Sequence, residues 1–414
     1  MSEAPTIDMA DFDPHDLALE DIDVSQRSIW IHDKKMAFFE RLRDEAPIHY
    51  CKDSEYGPYW SVTRYKDIME IDGNWQDFSS EPAITIVEPE DDFPLPMFIA
   101  MDPPVHDEQR KTVQGSVAPA NLKLMEETIR SRTQRVLDDL PIGEQFDWVD
   151  RVSIELTTQM LATLFDFPFE DRRKLTRWSD VATGDEESGI VESEEARQAE
   201  LYECLEYFTR LWNEREGQEE RNDLVSMLAQ GEATKNMTPQ EYLGNLILLI
   251  VGGNDTTRNS MTGGVWALNQ NPGEYAKLRN NPGVIPNMVS EIIRWQTPLA
   301  HMRRIAKKDY VLNGQTINAG DKVIMWYLSG NRDERSIDRP NEFIIDRDKA
   351  RQHLSFGFGV HRCMGNRLAE MQLRILWEEV QKRFHMIEVI GEPKLVPSNF
   401  VHGYTEMQVV LHSH

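Results

Sequence analysis

The longest periodic segment of the sequence is a helix that begins at Thr238 and runs to about Asn271. Thr238 is followed by Pro239 and, three residues after Thr238, by Glu241, which makes a capping box with proline at the first helical position. At 1.5 Å per residue this helix is roughly 45–50 Å long, enough to cross a whole domain. The fold must be built around it, and the pair Gly252-Gly253 in its middle predicts a kink or a close backbone approach.

The rest of the chain divides into a helical middle and two ends with strand signals. Helical periodicity dominates residues 106–229, and an Asn-Gly pair predicts a tight hairpin at residues 310–317. Residues 80–104 are a long proline-rich loop. We expect a mainly α fold with a small β region (α+β), in which a single domain spans residues 30–414 behind an acidic N-terminal arm at residues 1–29.

Charge and cysteine content exclude several classes of function. The chain has 45 Lys and Arg against 71 Asp and Glu, a formal net charge of −26, and so acidic a surface argues against a nucleic-acid partner. The three cysteines, Cys51, Cys204 and Cys363, are too scattered for a disulfide framework or a Cys-x-x-Cys zinc site. With no signal peptide and no apolar run near ~20 residues, we expect a soluble cytoplasmic protein without a membrane anchor.

The most specific segment is the glycine-rich loop from Phe356 to Gly365, which contains His361 and Cys363 and precedes an amphipathic helix. Glycines allow a tight loop, and a helix N-terminus favours thiolate over thiol. A lone cysteine is more often an ordinary core residue. Here the flanking glycines, Phe356 and His361 favour a single-thiolate metal site, which suits haem iron because the porphyrin supplies the other ligands.

The pattern Phe-x-x-Gly-x-His-x-Cys-x-Gly resembles the haem-thiolate signature of the cytochrome P-450 superfamily, and other motifs of that family follow in the expected order. The resemblance covers the chain from about residue 30 to its end. It implies the cytochrome P-450 fold, a haem b cofactor (iron protoporphyrin IX) and Cys363 as the axial ligand of the iron. It also implies that Phe356 packs beside the sulfur and that Gly365 lets the helix approach the porphyrin.

An acid and an alcohol stand side by side in the middle of the long helix, at Asp255 and Thr256. Cleavage of dioxygen needs two protons, which a carboxylic acid relaying through a hydroxyl and water would deliver. The alternative is a polar patch in which the threonine bonds back to the i−4 carbonyl. The resemblance to the family's Gly-Gly-x-Asp-Thr-Thr pattern implies that Asp255 and Thr256 are the catalytic pair of a monooxygenase that uses O2, and that Gly252 belongs to the cofactor site.

Two further sets of charges match motifs of the family. Glu291 and Arg294, at i and i+3 among apolar residues, resemble a structural Glu-x-x-Arg pair, whose network Arg347 completes. Burial of the two haem propionates calls for cations and hydrogen-bond donors. The resemblance assigns that role to four residues: His106, Arg110, Arg304 and His361. For each of them the alternative is a solvated surface charge, and Arg303 competes with Arg304 for the position facing the haem.

The resemblance places substrate contacts at mainly apolar positions: Met97, Phe98, Leu249, Val251, Leu299, Met302, Phe400 and Val401. Such a pocket favours a hydrocarbon chain or a sterol-like skeleton, although each residue is also typical of ordinary core. Residues 252–259 and 362–373 resemble bacterial soluble members that hydroxylate the terminal methyl of medium-chain alkanes and fatty acids. The alternatives are a sterol side-chain oxidase and, in another class, a haem-binding sensor or carrier without turnover. Residues 171–215 are expected to form helices over the entrance.

Electrons must come from another protein, because the sequence contains no flavin or nicotinamide motif. The resemblance implies a small ferredoxin with its own ferredoxin reductase, electrons that originate from NAD(P)H, and a monomeric chain. Ferredoxins are typically acidic, so a basic patch is needed on the thiolate side. The cations available for it are Arg362, Arg367, Arg374, Lys382 and Arg383, and the alternative is a solvated charged face.

Overall fold

Helices account for most of the regular structure in the computed structural model, which describes residues 8–90, 92–219 and 221–414. Residues 1–7 of the predicted arm lie outside the described residues. The α-helices are α1 (Arg27–Ile31), α2 (Lys35–Glu45), α3 (Tyr65–Gly73), α4 (Val105–Gln114), α5 (Pro119–Asp138), α6 (Glu155–Phe165), α7 (Arg173–Thr183), α8 (Glu194–Arg215), α9 (Leu224–Gln230), α10 (Pro239–Gln270), α11 (Pro272–Asn280), α12 (Ile285–Gln296), α13 (Tyr327–Gly330) and α14 (Asn366–Arg383). The predicted mainly α fold with a small β region is confirmed.

Within the described residues the strands are short and form four small sheets. They are β1 (Ile48–Cys51), β2 (Tyr59–Val62), β3 (Phe78–Ser79), β4 (Gln145–Asp147), β5 (Met302–Ala306), β6 (Tyr310–Leu312), β7 (Gln315–Ile317), β8 (Lys322–Met325), β9 (Phe384–Val389), β10 (Lys394–Leu395), β11 (Tyr404–Glu406) and β12 (Gln408–Ser413). The largest sheet has the order β1-β2-β8-β5-β3, in which β2 and β8 are parallel. The predicted hairpin is β6–β7, where Asn313 and Gly314 both have positive φ.

Helix α10 is the longest helix in the described part of the chain and contributes to two apolar cores. Its capping box is present: Thr238 Oγ1 accepts the Glu241 N–H at 3.2 Å, and Glu241 Oε2 accepts the Thr238 N–H at 2.8 Å. The helix is 32 residues long, or about 48 Å. Its first half packs in one apolar core with α6, α7 and α8, and its second half packs in another with α12 and α14. No helix in the described ranges is both long and apolar enough to cross a bilayer.

The acidic N-terminal stretch packs against the large sheet. Residues 8–26 form short 3₁₀ turns, and Met9, Ile22 and Val24 are buried. Trp30 in α1 stacks on Trp326, with ring centroids 5.8 Å apart. The acidic residues of this stretch therefore alternate with apolar anchors that hold it onto the rest of the fold.

Candidate active site

The loop that ends at α14 has a shape that only glycine permits at two positions. Gly357 and Gly359 have φ angles of +66° and +70°, in the left-handed region that disfavours side chains. A Cβ on Gly359 would lie 2.6 Å from the carbonyl oxygen of Asp72. At the other end of the loop, the backbone N–H of Cys363 donates to the carbonyl of Phe356 at 2.8 Å. Backbone geometry thus fixes the direction in which the cysteine points.

The Cys363 thiol lines an interior cavity just before the first turn of α14. Burial raises the pKa of this thiol, against the backbone N–H groups of Gly365 and Asn366 and the guanidinium groups of Arg110 and Arg362, which lower it. The helix N-terminus therefore contributes as expected but does not by itself favour the thiolate. A metal cation bound to the sulfur would supply the missing stabilisation.

The cavity next to Cys363 has a volume of about 310 Å³ and is lined mainly by apolar side chains. Seven of the eight predicted substrate contacts line it: Met97, Phe98, Leu249, Val251, Leu299, Met302 and Phe400. Val401 does not, because it is buried behind the wall, where it forms a β-bridge with Leu299. The predicted positions from four separate segments of the chain thus meet around one space.

Helix α6 is one part of the wall that the sequence analysis did not predict. Met160, Leu161 and Leu164 line the cavity from this helix, although their pattern is that of ordinary core. The sequence feature that could have indicated this contact is the Gly252-Gly253 pair of α10, because a Cβ on Gly253 would lie 2.6 Å from Leu161 Cδ2. Of the two predicted explanations for that pair, close approach is correct at Gly253, and α10 continues through it without a break.

A cluster of cations and donors borders the cavity beside the cysteine. Arg110, Arg304 and His361 line it, and the His106 ring lies behind, 4.1 Å from the His361 ring between centroids. His361 Nε2 shares a hydrogen bond of 2.8 Å with Ser80 Oγ. Burial, together with Arg304, His106 and Arg110, lowers the pKa of His361 to about 2. Its Nδ1 and the Nε2 of His106 are buried without a partner among the described residues, so this cluster is suited to a doubly anionic ligand.

The two adjacent arginines of β5 face opposite ways. Arg303 forms an ion pair with Glu88 at 2.9 Å and donates to the Val87 carbonyl. Arg304 instead borders the cavity, and its guanidinium donates to the Arg303 carbonyl at 2.7 Å. Alternation along a strand sends successive side chains to opposite faces, so Arg304 is the arginine that faces the cavity.

The buried carboxylate of Asp72 joins this cluster to the cysteine loop. Its Oδ1 accepts from Arg304 Nη2 at 2.6 Å. Its Oδ2 accepts from the Tyr327 hydroxyl at 2.6 Å and from the backbone N–H of Phe358 at 2.7 Å. Nothing in the sequence pattern pointed to Asp72, because a carboxylate near the end of an amphipathic helix is usually solvated.

In the middle of α10 the predicted acid and alcohol face different surroundings. Thr256 lines the cavity, and its hydroxyl donates to the Gly252 carbonyl at 2.8 Å. Asp255 is buried toward α7, where its Oδ1 accepts from Arg258 at 2.8 Å and from Asn254 at 2.9 Å. Arg258 also pairs with Asp180 at 2.9 Å. The two side chains therefore do not touch each other.

Burial raises the pKa of Asp255 to about 6, although the Arg258 guanidinium opposes this. The carboxyl group is thus placed to gain and lose a proton near neutral pH. An ordinary surface aspartate has no such capacity at that pH.

Three charged residues meet in the core below the cavity. Glu291 and Arg294 form a two-pronged pair at 2.8 and 2.7 Å, and Arg347 Nε donates to Glu291 Oε2 at 2.9 Å. Glu291 and Arg294 are completely buried. Arg294 uses its remaining N–H groups on the carbonyls of Asn331 and Pro340. The network ties α12 to the segment that leads into the cysteine loop.

The five predicted surface cations are not equivalent. Three already have carboxylate partners: Arg374 with Glu126 and Glu378, Lys382 with Glu379, and Arg383 with Asp138 and Glu379. Arg362 and Arg367 are exposed and have no carboxylate within ion-pair distance among the described residues. These two flank Cys363 in the sequence.

Three features define the site. It has a single thiol that can bind a metal, a neighbouring cluster of cations and donors that can bind two anionic groups, and an apolar cavity. Among the described residues, no group of three or more His, Cys, Asp or Glu could hold a metal ion unaided. The donor set fits haem, which brings its own four nitrogen ligands and two carboxylates. The class is therefore that of haem-thiolate proteins.

The chain belongs to the cytochrome P-450 family, whose family model matches residues 142–402. It is 33% identical over 385 residues to linalool 8-monooxygenase of Pseudomonas putida, covering 90% of this chain and 94% of that protein. It is 29% identical over 412 residues to the methyl-branched lipid omega-hydroxylase of Mycobacterium tuberculosis, covering 96% of each.

Solved structures agree with this assignment. A cytochrome P-450-153 from Novosphingobium aromaticivorans is 48% identical with a TM-score of 0.88, covering 94% of this chain and 99% of that one. A second cytochrome P-450, from Sphingomonas sp. PAMC 26605, is 48% identical with a TM-score of 0.89, covering 95% and 100%. The protein is thus a cytochrome P-450 monooxygenase, an oxidoreductase whose family uses haem, O2 and reducing equivalents.

Proposed function

We propose that this enzyme inserts one oxygen atom from O2 into the terminal methyl group of a medium-chain n-alkane or fatty acid. The observation that carries the proposal is the apolar cavity next to Cys363, which suits a hydrocarbon chain. The similarity to a methyl-branched lipid omega-hydroxylase supports it. Methyl C–H bonds are stronger than methylene C–H bonds, so the wall must aim the chain end and exclude the rest of the chain.

Haem b, when bound, supplies the iron chemistry that activates O2. In the proposed arrangement Cys363 would hold the iron through its sulfur, with Phe356 beside the sulfur and Gly365 allowing close approach of α14. Arg304, Arg110, His361 and His106 hold the propionates. The unpartnered buried nitrogens of the two histidines support this role, because such donors are costly unless a ligand satisfies them.

Two residues of α10 manage protons in this proposal. Thr256 Oγ1 lies on the cavity wall, and its hydroxyl would turn from the Gly252 carbonyl, to which it donates in this structure, toward O2. Asp255 takes protons from the α7 side and passes them on after its carboxylate leaves Arg258. A pKa of about 6 supports this role, because such a carboxyl group exchanges protons readily near pH 7.

Electrons come from a ferredoxin that is reduced by its own reductase at the expense of NAD(P)H. Arg362 and Arg367, exposed beside Cys363, form the docking patch, whereas the cations of α14 that already pair with carboxylates contribute less. A local positive patch on a chain of net charge −26 favours one orientation of an acidic partner.

A sterol side-chain oxidase is the second candidate, because the chain is also 30% identical over 383 residues to the steroid C26-monooxygenase of Mycolicibacterium smegmatis. The test is a spectral titration of the ferric enzyme with n-alkanes, fatty acids and a cholestane steroid. Oxygen uptake and product analysis with a ferredoxin system follow. The proposal expects a high-spin shift and terminal alcohols with chain substrates. A shift with the steroid alone supports the second candidate, and binding without substrate-dependent oxygen uptake supports a sensor or carrier.

A further inference from the structure

The cavity contains charged side chains only in the cluster beside the cysteine. Within the described residues, Arg110, Arg304 and His361 are its only basic lining residues, and no Asp, Glu or Lys lines it. The polar groups elsewhere in the wall are mainly hydroxyls, such as those of Thr85 and Thr183. Once the cations beside Cys363 hold the propionates of haem, the cavity offers no cation to a substrate.

Two segments that border the cavity are acidic. The first is the loop 84–98, whose two ends line the cavity at Ile84 and Met97. The second is residues 184–197, the α7–α8 connection and the first turn of α8, which follow the lining residue Thr183. Neither segment contains Lys or Arg before Arg197. Their described carboxylates are Glu88, Glu90, Asp92, Asp185, Glu186, Glu187, Glu192, Glu194 and Glu195.

Cations from elsewhere neutralise only part of this charge. Arg27 reaches Asp185 at 2.9 Å and Glu187 at 3.4 Å. Arg197 pairs with Glu90 at 3.1 Å and with Glu194 at 2.8 Å. Glu88 is held by two cations of the large sheet, Arg303 and Lys322. These four cations face nine carboxylates.

Four of the carboxylates lie unpaired at the surface of the described part of the chain. Asp92, Glu186, Glu192 and Glu195 are exposed and have no cation within ion-pair distance among the described residues. Among the paired carboxylates, burial raises the pKa of Glu90 and the neighbouring Glu194 adds to this rise, although Arg197 opposes it. The two segments therefore carry a net negative potential next to the cavity.

We propose that this enzyme selects uncharged chains and excludes carboxylates, so that its substrates are alkanes, or alcohols and esters of similar length, and not free fatty acids. This inference rests on the proposed function. An isolated carboxylate that enters an apolar cavity loses its hydration without gaining a partner. A carboxylate that approaches the cavity beside Ile84, Met97 or Thr183 also meets the acidic segments. A neutral chain of the same length loses no hydration of a charge and is not repelled by the acidic segments.

The first experiment compares three ligands of matched chain length on the haem-loaded enzyme: n-decane, methyl decanoate and decanoate. Binding is measured both by the spectral shift and by equilibrium dialysis, at low and at high salt. We expect methyl decanoate to bind at least about tenfold more tightly than decanoate at low salt. Added salt should narrow the gap, because it screens the repulsion.

The second experiment reverses two exposed charges of the α7–α8 connection, in the double variant Glu186→Lys with Glu192→Lys. Decanoate should bind several-fold more tightly, with little change for methyl decanoate. The matched control is Glu144→Lys, an equally exposed reversal before β4, outside both acidic segments. The control should leave both affinities as in the wild type.

The outcomes separate the two levels of the proposal. Equal binding of acid and ester overturns the selection of uncharged chains while terminal hydroxylation stands. An unchanged acid affinity in the double variant overturns the part given to the acidic segments in that selection. Failure of all three ligands to bind overturns the proposed function itself. Tight binding of the ester with a weak, salt-dependent affinity for the acid supports both.

Discussion

The thiolate side and the cover, formed by the two acidic segments that border the cavity (residues 84–98 and 184–197), are both held by ion pairs. The ion pairs of the two regions lie in opposite environments. Glu291 and Arg294 are completely buried and bond to each other and to backbone carbonyls. The pairs Arg27–Asp185 and Arg197–Glu90 join covering segments and have one partner that is 53% and 37% exposed, respectively. A buried pair that loses one member leaves a stranded charge, whereas a surface pair is worth little. The molecule thus combines a fixed thiolate site with a loosely fastened cover.

The sharpest test of the thiolate side is Cys363→Ser. The hydroxyl is a far poorer donor to iron than a thiolate, so we expect turnover to be abolished and the reduced carbonyl complex to lose its thiolate-type spectrum. Cys204→Ala, which removes a buried thiol away from the cavity, is the control and should keep that spectrum. A Cys363 variant with the wild-type spectrum would contradict the assignment of the ligand.

Breaking the buried network comes next in size. In Glu291→Gln the guanidinium groups of Arg294 and Arg347 lose their anionic partner, which should lower the free energy of unfolding by about 3–5 kcal/mol. Urea unfolding and the yield of haem-loaded protein measure the effect. The exposed Glu342, which pairs with Arg339, provides the control Glu342→Gln, expected to stay within about 0.5 kcal/mol of the wild type. Similar losses of unfolding free energy in both variants would show that the buried network stabilises the fold no more than an exposed ion pair does.

Asp255 gives a smaller effect with a defined dependence on pH. Its folded pKa of about 6 lies above the ordinary value of 3.8, so the folded state binds the proton more tightly. Its contribution to the free energy of unfolding is therefore lost as the pH rises through 6. The loss between pH 5 and 7.5 should be about 1.5 kcal/mol. Asp255→Asn should remove this component from urea unfolding curves. If the variant and the wild type show the same pH dependence, the Asp255 carboxyl group does not titrate in this pH range.

The cover should give the smallest change in stability. Arg197→Gln removes the links to Glu90 and Glu194, and we expect a loss of about 1 kcal/mol or less. Association of an apolar ligand should become faster, because the loop 84–98 separates more easily from α8. Stopped-flow binding measures this rate, and Arg210→Gln, also on α8 but stacked on Tyr207, is the control. Destabilisation as large as that of Glu291→Gln would show that the cover is part of the fixed frame.

Local sequence signals predicted the parts of the fold and site whose cause is local. The capping box at Thr238 marks the start of α10 because both of its bonds lie within four residues. The glycines of the cysteine loop likewise announce a backbone shape that side chains forbid. Glu291 and Arg294 stand one helical turn apart, so their pairing can be anticipated from spacing alone.

The rest of the site depends on packing between distant segments. The lining role of Leu161 follows from how α6 crosses α10, which no local pattern encodes. Val401 turns behind the wall because it bridges to Leu299. Asp255 turns from Thr256 because Arg258, which also pairs with Asp180 of α7, offers it a charged partner. Neighbours in sequence thus end in different environments according to what lies opposite them.

The bonds of Asp72 bear on how the protein is assembled in the cell. This one carboxylate is shared by Arg304, Tyr327 and the amide of Phe358, so before cofactor uptake it is the nearest anion for a crowded set of positive and donor groups. A second carboxylate, Asp107, pairs with the His106 ring at 2.7 Å, but Arg110 and Arg304 still border the same cavity, where like charges resist being brought together. Maturation of the polypeptide is therefore coupled to porphyrin supply, and overproduction without added haem precursor should accumulate an incompletely closed apoprotein.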